Sequence, residues 1–533
     1  MAIATERQPA SGPTVNLPDR FNVAAYLVDR HAREGRGDRT AILCGDESIT
    51  YAQVAERSNR LANGLRSMGV RREDRVMLLL HDTPAFVYSF FGAQKIGAVP
   101  IPTNTLLKSQ DYQYMLNDSR ARVAIISAPL LPQVAAIPRT ELPHLEQLII
   151  DGATSGDMRG VEELLTASPS LEVENTSKDD AAFWLYSSGT TGFPKGAVHL
   201  HHDIVHTVAC YAQGVLGMTA ADRTFSVAKL FFAYGLGNAL TFPFAVGATT
   251  ILWPGPPTPP NVYAQIERFK PTLFFSVPTN YGQLLANKRE GADFDLSSVR
   301  QAVSAGEALP KALYERFKDR FGVEILDGIG STEILHIFIS NRSGRVRPGS
   351  AGELVPGYEA RIVDDGGHDV ENETVGNLLI KGDSICAYYW NKHERTKDTI
   401  EGHWIRTGDK FSRDADGYYW YAGRADDMLK VGGIWVSPVE IENTLVEHAA
   451  VQEAGVIGRR DADGLEKPMA YVVLTAGNVP SAELARELQD FVRSKIAEYK
   501  RPRWVEFVEA LPKTATGKTQ RFKLRASVAS EPV

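Results

Sequence analysis

Cysteine is scarce: Cys44, Cys210 and Cys386 are the only three among 533 residues. So few thiols, so far apart, form neither a disulfide framework nor a zinc site, and a reducing, cytoplasmic setting is expected. A basic excess is missing as well. The 58 lysines and arginines are outnumbered by 65 aspartates and glutamates, for a formal net charge of −7. Nucleic acid and anionic membranes call for a basic surface, so neither is expected as a partner. No apolar run is long enough to span a bilayer, and residues 1–19 lack the apolar core of a signal peptide. Residues 1–20 are expected to form a flexible tail. Internal repeats and heptads are absent. The one low-complexity patch, at 253–260, carries enough proline to hold the chain extended between a strand and the next helix.

What is present is ordinary globular material, 43% hydrophobic and 23% charged, which rules out a disordered or fibrous chain. The length suits roughly three or four domain-sized units merged around a continuous core. Helix and strand patterns alternate from residue 21. Asn22 is placed to cap a helix over 22–34, and 51–68 reads as an amphipathic helix closed by Gly69. Strands are expected at 40–44, 76–80, 123–127, 148–151, 183–186, 272–277, 301–304 and 323–326. This alternation predicts the α/β class, with layered mixed or mainly parallel sheets covered by helices. The style changes near 416–427. Beyond it, helices at 437–448 and 482–499 with strands at 454–457, 469–474 and 504–508 predict a small α+β domain. The expected domains are therefore 21–424 and 425–533, joined at about 424–427.

The strand that ends near Tyr186 runs into Ser187-Ser188-Gly189-Thr190-Thr191-Gly192-Phe193-Pro194-Lys195-Gly196. Glycines let backbone amides approach an anion, hydroxyls donate hydrogen bonds, and Lys195 adds a mobile positive charge, as a phosphate cradle requires. The order Gly-x-x-Gly-x-x-Lys-Gly is not that of a Walker A loop, so a P-loop fold does not follow. An ordinary flexible connection is the bland alternative.

Two further glycine-bearing loops follow predicted strands, where α/β enzymes bind ligands: Ala305-Gly306-Glu307 and Asp327-Gly328-Ile329-Gly330-Ser331-Thr332-Glu333. Glu333 is suited to hold magnesium against phosphate oxygens; the alternative is an acid favoured at a helix N-terminus. Asp409 can accept both hydroxyls of a ribose, and a hairpin would bring Arg424 beside it. A turn aspartate and a surface arginine would look the same. Residues 511–518 form a polar loop whose Lys518 is either solvated or able to swing into a cleft.

Taken in order, these segments resemble the signatures of the adenylate-forming superfamily: acyl- and aryl-CoA synthetases, peptide-synthetase adenylation domains and beetle luciferases. The matching motifs are the loop from Ser187 to Gly196, then Gly330-Ser331-Thr332-Glu333, Arg406-Thr407-Gly408-Asp409, Gly423-Arg424-Ala425-Asp426-Asp427 and Gly517-Lys518. The resemblance covers nearly the whole chain. It implies that ATP and AMP are bound by Ser187, Ser188, Gly189, Thr190, Thr191, Lys195, Ala305, Gly306, Glu307, Asp327, Gly328, Ile329, Thr332, Asp409 and Arg424. Glu333 would hold Mg2+, and Lys518, Glu333 and Thr332 would be catalytic. A cation at Lys518, bridging the attacking carboxylate and the α-phosphate, offsets the repulsion between two anions. The resemblance also implies that the C-terminal domain rotates about Asp426 after adenylation and turns Lys430, Gly432 and Gly433 toward coenzyme A. Ile329 departs from the aromatic residue many members carry there, which leaves adenine to packing and backbone contacts. The histidines at 199, 201 and 202 invite a metal reading, but a polar helix start accounts for them better.

By the same resemblance the acid pocket is lined by Phe232, Ala233, Tyr234, Gly235, Gly330, His336 and Ile337. Aromatic and glycine-spaced, it suggests a small flat cavity rather than a long acyl tunnel. The combination resembles benzoate-CoA ligases. It implies conversion of benzoate, or of 4-hydroxybenzoate or another small aryl or heteroaryl acid, to its CoA thioester through an aryl-AMP, with ATP, Mg2+ and coenzyme A required. Core packing is the alternative for any one ring, and for His336 a satisfied helix-face histidine. Coenzyme A is expected over a carrier protein because the sequence stops shortly after Lys518. A nucleotide-binding regulator without turnover is the alternative of another class, and Lys195, Glu333, Asp409 and Lys518 argue against it. A homodimer is left open. Acylation of Lys518 would remove its charge, so a lysine-acylating regulator is an expected partner.

Overall fold

A computed structural model describes residues 12–153, 158–187, 194–431, 434–461, 465–513 and 519–529. Its widest sheet has nine strands. Ile325–Gly330, Gln301–Ser304, Leu273–Ser276, Arg223–Ser226, Thr249–Leu252 and Thr40–Cys44 run parallel in that order. Antiparallel Ile337–Ser340 and Glu353–Leu354 extend one edge, and Glu47–Thr50 the other. Leu273–Ser276 and Gln301–Ser304 are buried at every position, as strands covered on both faces must be. Their C-terminal ends open onto one rim, which carries the loops at 305 and 331.

A second, parallel sheet is ordered Val99–Pro102, Arg75–Leu79, Val123–Ser127, Gln147–Asp151, Arg159–Gly160. The helix Pro84–Lys95 is apolar nearly all round because it is buried between elements, against the helix Tyr51–Ser67. That neighbour starts in a capping box of Thr50 and Gln53 and ends before Gly69, whose φ of 82° needs a glycine. Two smaller antiparallel sheets complete the large domain. One joins Ala181–Ser187, Lys195–Leu200 and Tyr388–Tyr389; the other includes Trp404–Arg413 paired with Tyr419–Arg424.

The small C-terminal domain packs the helices Pro438–Val446 and Ala482–Lys495 on a sheet of Val451–Arg460, Glu466–Leu474 and Trp504–Phe507. Among the described residues, no helix is long and apolar enough to cross a membrane.

The strands expected at 40–44, 123–127 and 301–304 have those bounds. The one expected at 323–326 instead spans Ile325–Gly330, because pairing to Ile337–Ser340 carries it into the glycine-bearing segment. Helix 482–499 ends at Lys495, and Ser437 caps rather than begins its helix. The expected flexible tail is corrected from residue 12 onward. Val15 and Leu17 pack against the core, and the Lys178 amide donates to the Asp19 carbonyl at 3.0 Å.

Candidate active site

Glu333 lies in the turn between Ile325–Gly330 and Ile337–Ser340, not at a helix N-terminus, which corrects that alternative. Ser331 shapes the turn by accepting the Ile334 amide at 3.2 Å, and Leu335 has a φ of 74°. The Glu333 carboxylate accepts the Ser187 hydroxyl at 3.0 Å and the Tyr389 hydroxyl at 2.8 Å, both on Oε1. The Lys195 ammonium sits 4.6 Å from the Tyr389 ring centroid. Burial lowers the Lys195 pKa, while Glu333 opposes that shift. Ser187 and Lys195 pair across neighbouring strands, so the two ends of the expected phosphate loop meet at Glu333. Ser188, Gly189, Thr190 and Thr191 themselves lie outside the described residues.

The three sequence-adjacent histidines are engaged in the scaffold. Buried His199 contacts Asp203 through Nδ1 and the Thr332 carbonyl through Nε2, each at 2.8 Å, and thereby braces the Glu333 turn. His201 opens the expected helix, His201–Thr207, and its Nδ1 accepts the Val23 amide. His202 lies against the Lys178 carbonyl and Asp179. The bracing role of His199 had no signal in the sequence, since Thr332 is 133 residues away in the chain. Glu333 suits a divalent cation: two hydroxyls hold Oε1, leaving Oε2 as a hard oxygen ligand.

Asp409 and Arg424 are register partners in the antiparallel pair, as the hairpin reading expected. Arg424 Nη1 donates to Asp409 Oδ1 at 3.1 Å and to the Thr407 carbonyl at 3.2 Å. Gly408 is required there: its φ is 75°, and a Cβ would lie 2.9 Å from Arg424 Nη2. Burial pulls the Arg424 pKa down, but Asp409, Tyr421 and Glu333 together raise it.

Ala305-Gly306-Glu307 follows Gln301–Ser304, and Gly328-Ile329 lie in the adjacent strand just past its parallel pairing. Asp327 ties them: its Oδ2 accepts the Leu309 amide at 3.2 Å, and its carbonyl accepts the Asn341 amide at 2.9 Å. Desolvation raises its carboxyl pKa to about 8. The side chain therefore serves the loops, with a buried, largely protonated carboxyl. Thr279 approaches both carboxylate oxygens of Glu307 at 3.4 Å.

The expected acid pocket is gathered beside the same turn. Tyr234, in the short helix Ala233–Leu236, donates to the carbonyls of Ser276 and Val303 at 3.3 and 3.2 Å, which fixes its ring as a wall. The His336 ring centroid is 5.6 Å from that of Tyr234 and 4.4 Å from that of Phe242. His336 Nε2 is 3.1 Å from Asn238 Oδ1, and desolvation lowers its pKa to about 3. Asn238 escaped the sequence reading because it falls just past the aromatic motif, four residues after Tyr234. A Cβ on Gly330 would lie 2.7 Å from the His336 carbonyl, so Gly330 lets the two flanks of the turn close. The Phe232 ring centroid lies 4.4 Å from that of Phe231, and Ala233 and Gly235 flank Tyr234 in the chain. Ile337 is buried beneath Gly328.

Residues 28–390 match the family model of AMP-binding enzymes, and residues 440–518 that of the AMP-binding enzyme C-terminal domain. The chain belongs to the AMP-binding enzyme family. A benzoate–CoA ligase of Thauera aromatica is 48% identical to this AMP-binding enzyme over 97% of this chain and 98% of its own. A 4-hydroxybenzoate–CoA/benzoate–CoA ligase of Rhodopseudomonas palustris is 43% identical over 95% and 94%. Among solved structures, an anthranilate CoA ligase in complex with anthranoyl-AMP superposes with a TM-score of 0.93 at 46% identity, covering 96% of this chain and 98% of that one. A benzoate CoA ligase from Burkholderia xenovorans LB400 superposes with a TM-score of 0.87 at 47% identity, covering 95% and 100%.

Between the two matched segments of this AMP-binding enzyme lies the expected hinge. Arg424 is tied to Asp409 in the large domain, whereas Asp427 is held by Arg521 at 3.4 Å and Arg525 at 3.0 Å in the last helix, Arg521–Ala529. Asp426 stands between these two anchors, in the turn Ala425–Asp427. The side chains of Asp426 and Lys430, and Gly432, Gly433 and Lys518 altogether, lie outside the described residues. The described flanks of the Lys518 loop, Lys513 and Thr519, form a bridge.

Proposed function

We propose that this AMP-binding enzyme is an aryl-CoA ligase whose preferred acid is benzoate. The observation that carries the reading is the continuity of one turn: Glu333 faces the Ser187–Lys195 pair, and His336, three residues on, faces Tyr234. An acid bound beside Tyr234 and His336 would therefore have its reactive oxygen directed toward the phosphates. A flat aromatic ring suits a surface made of a tethered tyrosine and an uncharged imidazole packed side by side. The names of the four relatives given above, all ligases of ring-bearing acids, support the same class.

In the proposed first step the benzoate oxygen bonds the α-phosphorus as the bond to the β-phosphate oxygen breaks, and pyrophosphate leaves. In the second, the coenzyme A sulfur bonds the carbonyl carbon, the thiol proton is lost and AMP leaves. Ser187, Lys195 and the loop between them would hold the phosphates, Asp409 and Arg424 the ribose, and the Ala305–Glu307 and Gly328–Ile329 backbone the adenine. Bound at Glu333, Mg2+ would neutralise phosphate charge. Lys518 would stabilise the first transition state and then withdraw as residues 425–533 turn about Asp426, so its acylation would stop adenylation first. A second reading, 4-hydroxybenzoate, is favoured by the neutral His336–Asn238 pair, which puts a polar group behind Tyr234.

Pyrophosphate release over a panel of acids tests this function. Release with benzoate or 4-hydroxybenzoate and little with aliphatic acids is expected; release with no acid would leave only the regulator.

A further inference from the structure

The segment that carries the acid pocket leaves its sheet before it reaches the pocket. The Val227 amide still donates to the Phe275 carbonyl at 2.9 Å, but residues 228–232 belong to no strand or helix. An acid from the other sheet takes over there. Asp82, only 4% exposed, lies just past the strand Arg75–Leu79. Its Oδ1 accepts the Leu230 amide at 3.1 Å, and its Oδ2 is 3.8 Å from the Lys229 ammonium. Lys229 in turn donates to the carbonyls of Trp253 at 2.6 Å and Gly255 at 3.0 Å. The Lys229 carbonyl accepts the Phe232 amide at 3.0 Å, and a Cβ on Gly235 would lie 2.1 Å from that oxygen. The wall of the pocket thus rests directly on the backbone that Asp82 and Lys229 hold.

A buried pair of this kind is a poor source of stability, because desolvating both charges cancels much of their attraction and apolar residues would pack there as well. What the pair supplies is direction: the carboxylate selects one backbone N–H, and the ammonium selects two carbonyls.

We propose that Asp82 and Lys229 are positioning residues for the acid pocket, fixing where Phe232, Ala233 and Tyr234 stand relative to His336. This rests on the reading of the site as an aryl-acid pocket. Neither residue lies in the nucleotide site, so their effect falls on the acid and not on ATP.

The test compares Asp82→Asn, Lys229→Met and the double variant with the wild type, after thermal melting has shown each to be folded. Steady-state constants are measured for benzoate, a bulkier 4-substituted benzoate and ATP. Asp82→Asn is expected to raise KM for benzoate about tenfold, to leave KM for ATP within about twofold, and to narrow the preference for benzoate over the bulkier acid. The double variant, with no charge left unpaired, is expected to recover part of that loss. If Asp82→Asn does not fold, Lys229→Met is read by the same criteria. Equal losses for acid and ATP, an unchanged KM for benzoate, or a double variant as poor as the two losses combined would overturn the proposal. A wild type inactive with every aryl acid would instead remove the reading beneath it.

Discussion

The Lys513 ammonium donates to the Thr279 hydroxyl at 3.0 Å, tying the C-terminal domain to the start of the helix Pro278–Ala286 beside the adenine loop. Within its own domain Lys513 also pairs with Glu453 at 2.8 Å, and it bridges to Thr519, the residue after Lys518. The contact therefore anchors the base of the loop whose lysine is proposed to act in adenylation.

Lys513→Ala is expected to slow benzoate-dependent ATP–pyrophosphate exchange about tenfold, the value of one hydrogen bond to a charged group. Thioester formation from supplied benzoyl-AMP and coenzyme A should stay within about twofold of wild type. Equal loss in both half-reactions, measured separately, would mean that the contact is not specific to one domain arrangement.

Glu333 is held by two hydroxyls that sit on different strands. Glu333→Gln keeps the shape but not the charge, and should lower kcat for adenylation by about 100-fold or more while raising the Mg2+ concentration needed for half-maximal rate. Tyr389→Phe removes only one of the two hydroxyls and should cost less than about tenfold. Magnesium titrations of both variants check the ranking.

Asp409→Asn should separate the nucleotide from the acid. It loses the charge that Arg424 Nη1 meets at 3.1 Å, and should raise KM for ATP about tenfold with KM for benzoate nearly unchanged. The Asp82 and Lys229 variants are expected to do the reverse, so crossed KM measurements place each residue on its own side of the site.

Asp327 gives a pH dependence with a definite sign. Desolvation raises its folded pKa to about 8, well above that of an exposed carboxyl. Between these two values the folded state keeps a proton that the unfolded state has released, so this group costs stability as pH rises toward 8. Asp327→Asn retains an oxygen for the Leu309 amide and does not titrate. Its melting temperature relative to wild type should climb from pH 5 to pH 8 and then level, a gain on the order of 1–3 kcal/mol. A flat or falling difference across that range would show that Asp327 is ionised in the folded protein.

Most of the strand positions and the motif segments were legible because each depends on local pattern. Strand 301–304 is a short buried run, and Asp409 meets Arg424 because a hairpin between them puts the two in register. What the sequence hid are contacts between distant segments. Nothing local marks His199 as the brace of Thr332, 133 residues away, or Asp82 as the partner of Leu230, 148 residues away. For the Glu333 turn a helix start remains open as an alternative in the sequence, because an acid after Ser-Thr suits both, and only the antiparallel return of Ile337–Ser340 decides between them. Val15 and Leu17 were hidden among polar and proline-rich neighbours, and their partial burial comes from packing against the core.

The central claim is that the aromatic site at Tyr234 and His336 selects a flat aromatic acid for adenylation. ATP–pyrophosphate exchange with benzoate, measured beside acetate and decanoate at saturating ATP and Mg2+, tests it most directly. Exchange with benzoate should exceed that with either aliphatic acid by about 100-fold or more in kcat/KM. Exchange with acetate or decanoate that equals or surpasses benzoate would contradict the account.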